Sequence, residues 1–109
     1  MSFILVYVTY PNMDEAKKIV HHLIEKKLIA CANFFPVQSS FLWKGKVDNS
    51  EEIISICKTK NENWEKIKLE VKKIHSYETP CIIKINAEAN EEFESWINAE
   101  IDNFKKLKK

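Results

Sequence analysis

Hydrophobic and polar positions divide the chain into segments with strand-like and helix-like periods. Residues 2–9, SFILVYVT, form a continuous apolar run of strand length that is typical of a central strand. Tyr10-Pro11-Asn12 interrupts this run. Apolar side chains then recur at the i, i+3, i+4, i+7 spacing of an amphipathic helix, at Ala16, Ile19, Val20, Leu23, Ile24 and Leu28.

The next segment, residues 30–60, predicts a long β-hairpin. Its first run, residues 30–43, is about twice the usual strand length and contains Pro36, which marks an edge, a bend or a bulge. Its second run, residues 53–59, has the apolar content of a partly buried strand. The intervening KGKVDNSEE is polar and turn-like and contains the only glycine, Gly45. Because such a hairpin exceeds what its own chain can cover, we expect other subunits to use the overhang.

The remaining pattern predicts two more helices and one more strand. A helix over residues 62–75 has one apolar face, a strand covers residues 81–86, and a C-terminal helix covers residues 90–107. The last helix places its apolar stripe at Phe93, Trp96, Ile97, Ile101 and Phe104, and a lysine tail follows. The order predicts one α+β, ferredoxin-like βαββαβ domain over residues 1–109 with an additional C-terminal helix. We expect both crossover helices on one face of the sheet and partner subunits on the other.

Composition narrows the classes of function. The 17 cationic side chains are all lysine and face 16 acidic ones, so the net charge is +1. This balance gives no reason to expect a nucleic-acid or membrane partner, and without arginine there is no bidentate clamp for phosphate. A single glycine excludes a glycine-rich phosphate loop.

Cysteine usage and the N-terminal run bear on location. The cysteines are three in number and widely spaced, which is typical of reduced thiols and not of a disulfide framework or a zinc site. The apolar run at the start of the chain is too short to span a bilayer or to act as a signal sequence. We therefore expect a cytoplasmic location.

Several short motifs, in order along the chain, together resemble the CutA family of divalent-cation tolerance proteins. They are Thr9-x-Pro11, Ala30-Cys31-x-Asn33-x-x-Pro36, Trp43-x-Gly45-Lys46, Glu51-Glu52, Lys58-Thr59, His75-x-Tyr77-Glu78-x-Pro80 and Trp96-Ile97. The resemblance implies a non-enzymatic homotrimer whose long hairpins pair across subunits. It also implies binding of divalent metal, copper above all, at the subunit cleft, with no cofactor required for folding.

The metal ligands that the resemblance implies are a cysteine on the first strand and two consecutive histidines. Those positions hold Val8, Ile74 and His75 here, so His75 is the metal ligand that is carried over. The sequence leaves a second interpretation of His75 open, namely a histidine favoured by the dipole at a helix C-terminus.

Further candidates fall into two groups. A ligand cleft is predicted from Trp43, Glu52, Lys58, Tyr77 and Glu78, although exposed charges and an aromatic subunit interface would give the same pattern. A structural motif is predicted from Thr9, Pro11, Cys31, Asn33, Gly45 and Pro80. Within that motif we expect Cys31 as a small buried hydrophobe and Asn33 hydrogen-bonded to the Thr9-x-Pro11 turn. Trp64 and Trp96 are predicted to be core residues.

Two functional hypotheses follow. The first is a trimeric, cytoplasmic protein that binds divalent cations and contributes to cation tolerance. The alternative is a trimeric small-ligand-sensing module with no physiological metal, whose signal an unidentified protein partner would receive. A hydrolase and an RNA-binding module have less support, because the chain has neither an arginine nor an aromatic RNA-binding run.

Overall fold

The computed structural model describes residues 3–107, and the side chains of residues 3–102. In chain order the elements are β1 Phe3–Tyr10, α1 Met13–Glu25, β2 Cys31–Trp43, β3 Lys46–Lys60, α2 Trp64–Ile74, β4 Ile82–Ala87 and α3 Glu91–Leu107, with a 3-10 turn, Asn61–Asn63, before α2. The predicted α+β order is confirmed. Three predictions fall outside the described residues and side chains. They concern Ser2 in the first strand, the Phe104 side chain on the stripe of the last helix, and the end of the lysine tail.

The four strands form one sheet in the order β2-β3-β1-β4, and each neighbouring pair is antiparallel. On β1, Val6 lies opposite Cys57 of β3 and Lys84 of β4. Because directly opposed residues share a face of the sheet, this register separates the strand residues into two sets. The even-numbered residues of β1 belong to one face and its odd-numbered residues to the other.

Both crossover helices pack on the first of these faces, as predicted. Ile4, Val6 and Val8 of β1 form the main core with the apolar stripes of α1 and α2. The stripes contribute Ala16, Ile19, Val20 and Leu23 from α1 and Ile67 and Val71 from α2. Trp64 is partly buried against this core. Burial of these stripes is the main force that holds the helices on the sheet.

The second face, called here the open face, is covered by α3 at one end. There α3 buries Ile97 and Ile101 against Phe3 of β1, beside Leu5 and Cys31. Farther along, apolar side chains on this face stay between 40% and 47% exposed, at Phe35, Ile83 and Ile85. Helix α3 therefore replaces part of the cover that partner subunits were expected to supply.

The prediction that Trp96 belongs to the core is wrong. Its indole is exposed, although it stacks on Phe93 with ring centroids 5.9 Å apart. The periodicity of α3 correctly predicts which stripe faces the sheet, but Trp96 lies at the edge of that stripe.

The hairpin between β2 and β3 has a much tighter turn than predicted. Only Lys44 and Gly45 connect the strands, and both have positive φ, 52° and 82°, as a two-residue type I′ turn requires. The polar residues 46–52, expected as a turn, are strand instead. Because β1 pairs with β3 only from residue 53 onward, residues 37–43 and 46–52 form a two-stranded overhang.

Two predicted boundaries also move. Helix α1 ends in a Schellman motif, in which Lys27 has φ 60° and the Leu28 N–H donates to the carbonyl of Leu23. Leu28 therefore reaches the core from beyond the helix, although its spacing matches the helical stripe. Tyr10, expected to interrupt the first strand, is its last residue and is fully buried.

Candidate functional site

The candidate site lies where the α2–β4 connection crosses the end of β1. Helix α2 stops at Ile74, and the following residue, His75, has an extended backbone. The chain then returns to the sheet at Ile82 of β4. The first turn of α1 lies nearby, because its residue Glu15 contacts both His75 and Ser76.

His75 is held by hydrogen bonds at both ring nitrogens. Nε2 lies 2.7 Å from the carbonyl oxygen of Thr9, which can only accept, so Nε2 carries the proton. Nδ1 accepts a hydrogen bond from the backbone N–H of Tyr77 over 3.1 Å. The imidazole is therefore neutral in this arrangement, with its tautomer fixed by these two partners.

Aromatic rings enclose the same imidazole. The His75 ring stacks on Tyr10 with centroids 5.4 Å apart and an interplanar angle of 12°. The ring of Tyr77 also contacts the imidazole, with ring centroids 4.9 Å apart and an interplanar angle of 45°. The His75 side chain has no exposed surface. Glu15 Oε2 lies 3.4 Å from Nδ1 of His75 and accepts a hydrogen bond of 2.9 Å from the backbone N–H of Ser76.

Tyr77 connects this cluster to the beginning of the overhang. Its hydroxyl donates to Glu52 Oε2 on β3 over 2.6 Å. Burial raises the pKa of Tyr77, and the hydrogen bond to the Glu52 carboxylate raises it further, since both favour the neutral phenol. Burial also raises the pKa of Cys81, with a smaller contribution from the negative charge of Glu52.

The residues of one protomer do not fit a metal held by His75. The one nitrogen without a proton, Nδ1, already accepts from Tyr77, and coordination would require it to give up that bond. Among the described residues, no group of three or more histidine, cysteine, aspartate or glutamate side chains could hold an ion. Val8, at another of the implied ligand positions, is a buried core residue, and Ile74 is partly buried against the core.

Lys58 lies away from this cluster. It is six residues from Glu52 on the same strand, about 20 Å along β3 at the rise of an antiparallel strand. Its ammonium group contacts Asn33 Oδ1 and lies 3.8 Å from Cys31 Sγ. Asn33 therefore binds Lys58 and not the Thr9-x-Pro11 turn, and Cys31 is only partly buried, so both of these expectations are wrong.

Trp43 and Glu78 also stay outside the cluster. Trp43 lies at the tip of the hairpin opposite Lys46, itself about 20 Å along β3 from Glu52. Glu78 is exposed and makes no hydrogen bond or ion pair with any described residue. Of the five predicted cleft residues, the fold of one protomer brings together Tyr77 and Glu52.

The remaining motif residues have structural positions. Thr9 contributes the carbonyl that binds His75, and Pro11 lies in the bend between β1 and α1. Gly45 forms the hairpin turn, and Pro80 lies in the connection just before β4.

Sequence reasoning missed two contributors, Glu15 and Tyr10. The sequence pattern gives Glu15 no role in a site and Tyr10 only that of a break after the first strand. Tyr10 hydrogen-bonds to Ser55, a polar residue within the apolar run Ile-Ile-Ser-Ile-Cys of β3. That isolated serine is the one signal that could have indicated a buried polar partner.

No helix within residues 3–107 is long and apolar enough to cross a membrane. The sequence model of the family described as "CutA1 divalent ion tolerance protein" matches residues 4–100. The divalent-cation tolerance protein CutA of Archaeoglobus fulgidus is 43% identical over 98 residues, which are 89% of this chain and 96% of that protein. The corresponding protein of Thermotoga maritima is 38% identical over 99 residues, covering 90% and 98%.

Solved structures agree with these relatives. The structure of the periplasmic divalent cation tolerance protein CutA from A. fulgidus has a TM-score of 0.89 at 42% identity, covering 92% of this chain and 99% of that one. The crystal structure of CutA1 from Pyrococcus horikoshii has a TM-score of 0.86 at 36% identity, covering 89% and 96%.

Proposed function

The chain belongs to the CutA1 divalent ion tolerance family, and from this membership we propose that it acts in divalent-cation tolerance as a non-enzymatic homotrimer. Copper is the cation that we propose for it. The relatives described above are divalent-cation tolerance proteins by name, and they match nearly the whole chain.

The observation that supports assembly is the hairpin overhang. Leu42 is 74% exposed and Val47 is 71% exposed, and the two lie directly opposite each other on the overhang. An isolated two-stranded ribbon is marginally stable in water, and exposed apolar strands favour association. Pairing of the overhang with neighbouring subunits would remove both surfaces from water.

The proposed cation site lies at the subunit boundary. Glu52 is the last residue of the overhang before β3 joins β1, and its carboxylate already accepts the hydroxyl of Tyr77. A second oxygen and the remaining lone pairs of Glu52 stay available to an ion whose other ligands come from a neighbouring subunit. Because one protomer holds no three-ligand cluster among its described residues, we propose that only the assembled trimer binds copper tightly.

Calorimetric titration of Cu²⁺ into protein of known oligomer mass tests this function. We expect a trimer in light scattering and a dissociation constant in the micromolar range or tighter. Glu52→Gln should weaken binding at least about tenfold, about 1.4 kcal/mol. Glu51→Gln is the matched control, because Glu51 is exposed on the opposite face of the same strand. This variant should bind Cu²⁺ as wild type does. A monomer would contradict the assembly, and a trimer without Cu²⁺ binding would contradict the copper site.

We propose the cytoplasm as the location. Cys31, Cys57 and Cys81 are all free thiols in the fold, as a reducing compartment favours. Fractionation of cells that express the chain at native level, with a periplasmic marker, checks this proposal.

A second candidate function has one specific observation in its favour. Both nitrogens of His75 are used inside the protomer, so the residue that most suggests a metal has no free donor. A trimeric small-ligand-sensing module without a physiological metal is consistent with that arrangement. A trimer that binds no Cu²⁺ in the titration above would favour this candidate.

A further inference from the structure

We infer that His75 is a positioning residue and not a metal ligand: its neutral imidazole fastens the α2–β4 connection to β1 and so places the Tyr77 hydroxyl on Glu52. The inference deepens the proposed function, on which its copper arm rests, because it assigns the contacts with a cation to the Tyr77–Glu52 side of the cleft. Its geometric part is tested independently of copper.

Both ring nitrogens serve the connection itself. The Nε2–H donates to the Thr9 carbonyl at the end of β1, and Nδ1 receives the N–H of Tyr77 two residues later. The imidazole thereby ties the backbone of residue 77 to the backbone of residue 9. Metal coordination at Nδ1 would break the tie to Tyr77, and coordination at Nε2 would leave a backbone carbonyl of β1 without its partner.

Burial gives an independent reason. The His75 side chain has no exposed surface and contacts the rings of Tyr10 and Tyr77. An ion in contact with the imidazole would have to enter between rings whose centroids lie 5.4 Å and 4.9 Å from that of His75. The Glu15 carboxylate, which lies 3.4 Å from Nδ1, already accepts the N–H of Ser76.

The effect of this arrangement appears at Tyr77. Its backbone N–H is fixed by Nδ1 and its ring packs against the imidazole, so two of its contacts come from His75. These contacts determine where the phenol extends, and its hydroxyl reaches Glu52 Oε2 at 2.6 Å. Without them the connection would have to hold Tyr77 over Glu52 by its backbone alone.

The tautomer is tested directly by ¹⁵N NMR of the intact wild-type protein. We expect Nε2 of His75 to be protonated and Nδ1 unprotonated at neutral pH, and the assignment to persist when Zn²⁺ is added as a diamagnetic probe. A His75 ring with Nε2 unprotonated, or one whose nitrogen resonances move to metal-bound values, would overturn the inference.

Conservative variants separate positioning from ligation. In His75→Asn the amide oxygen can replace Nδ1 as acceptor for the Tyr77 N–H, whereas His75→Ala removes both ties. The specific readout is the position of the Tyr77 side chain, followed by NMR with labelled tyrosine through the contacts of its ring with Glu52. We expect these contacts to be lost in His75→Ala and to persist in His75→Asn.

Cu²⁺ titration of the same variants completes the test. We expect His75→Asn to bind Cu²⁺ within about twofold of wild type. An affinity lost in His75→Asn while Tyr77 keeps its contacts with Glu52 would identify the imidazole as a ligand and overturn the inference. If wild type binds no Cu²⁺, the copper proposal fails, and the tautomer of His75 and the position of Tyr77 alone decide the role of His75.

Discussion

The hydroxyls of Tyr10 and Ser55 share a hydrogen bond of 2.7 Å inside a core that is otherwise almost entirely apolar. Both residues are fully buried, and the Ser55 hydroxyl also lies 3.7 Å from the thiol of Cys57. Burial raises the pKa of Tyr10 strongly, so the phenol stays neutral and continues to share its proton. This pair joins the end of β1 to β3, and the ring of Tyr10 also stacks on that of His75.

Removal of the tyrosine hydroxyl should destabilise the fold. Tyr10→Phe leaves the buried Ser55 hydroxyl with only the weak thiol partner, which should cost about 1–2 kcal/mol in the free energy of unfolding. Urea denaturation at fixed protein concentration measures this loss, because assembly also contributes to apparent stability. Adding Ser55→Ala to Tyr10→Phe should cost less than the sum of the two single changes. Strict additivity would show that the hydroxyls are not coupled.

The three thiols should differ in reactivity. Cys57 is fully buried, and burial raises its pKa from 9.0 to about 11, although the hydrogen bond with Ser55 acts in the opposite direction. At neutral pH its thiolate is then about a hundredfold scarcer than that of an ordinary cysteine. Mass spectrometry after iodoacetamide treatment should show Cys81 modified before Cys57 in the folded protein, and all thiols modified alike in urea. Equal rates in the folded protein would contradict this burial.

The overhang should control assembly. Leu42→Lys places a charge on the proposed subunit contact, so the oligomer should dissociate or weaken at least about tenfold in light scattering and sedimentation. Leu69→Lys is the matched control, because Leu69 is also an exposed leucine, at 61%, but lies on α2 away from the hairpin. If both variants assemble as wild type does, the hairpin is not the contact.

Acid stability should depend on Glu70. His22 Nε2 lies 2.7 Å and Lys73 Nζ lies 3.1 Å from its carboxylate oxygens. These hydrogen bonds lower the pKa of Glu70 from 4.5 to about 2, and the one with His22 has the larger effect. A carboxyl with a lowered folded-state pKa contributes stability that is present above the unfolded-state value and is lost as pH falls through the folded-state value. Wild type should therefore lose stability between about pH 4.5 and pH 2.

Glu70→Gln should show a flatter stability profile in that interval, measured by urea denaturation at a series of pH values. Glu65→Gln is the control, since Glu65 is an exposed residue paired with Lys68 within the same helix. Such exposed ion pairs contribute little to the free energy of unfolding. Profiles of Glu70→Gln and wild type that run parallel would contradict the assigned role.

Much of the fold was predictable from the periodicity of apolar residues. The continuous apolar run of β1 is typical of a central strand, and the helical patterns of α1, α2 and α3 follow from the need to bury one face of each helix. The turn at Lys44–Gly45 was harder to place, because the polar residues 46–52 resemble a loop when their strand partners are unknown. Only pairing with residues 37–43 makes them a strand.

The amino-acid pattern is enough to predict the order of the elements, the faces of α1 and α2 and the family to which the chain belongs. The residues that form the site, in contrast, come together only in the folded chain. His75 is 66 residues from Thr9 in sequence and also far from Glu15, and it meets both because α1, β1 and the α2–β4 connection reach one end of the sheet. Lys58 and Trp43 are separated from Glu52 by strand rise, a distance that residue type does not encode. Local periodicity records which side chains are buried, whereas contacts between distant segments depend on how those segments pack.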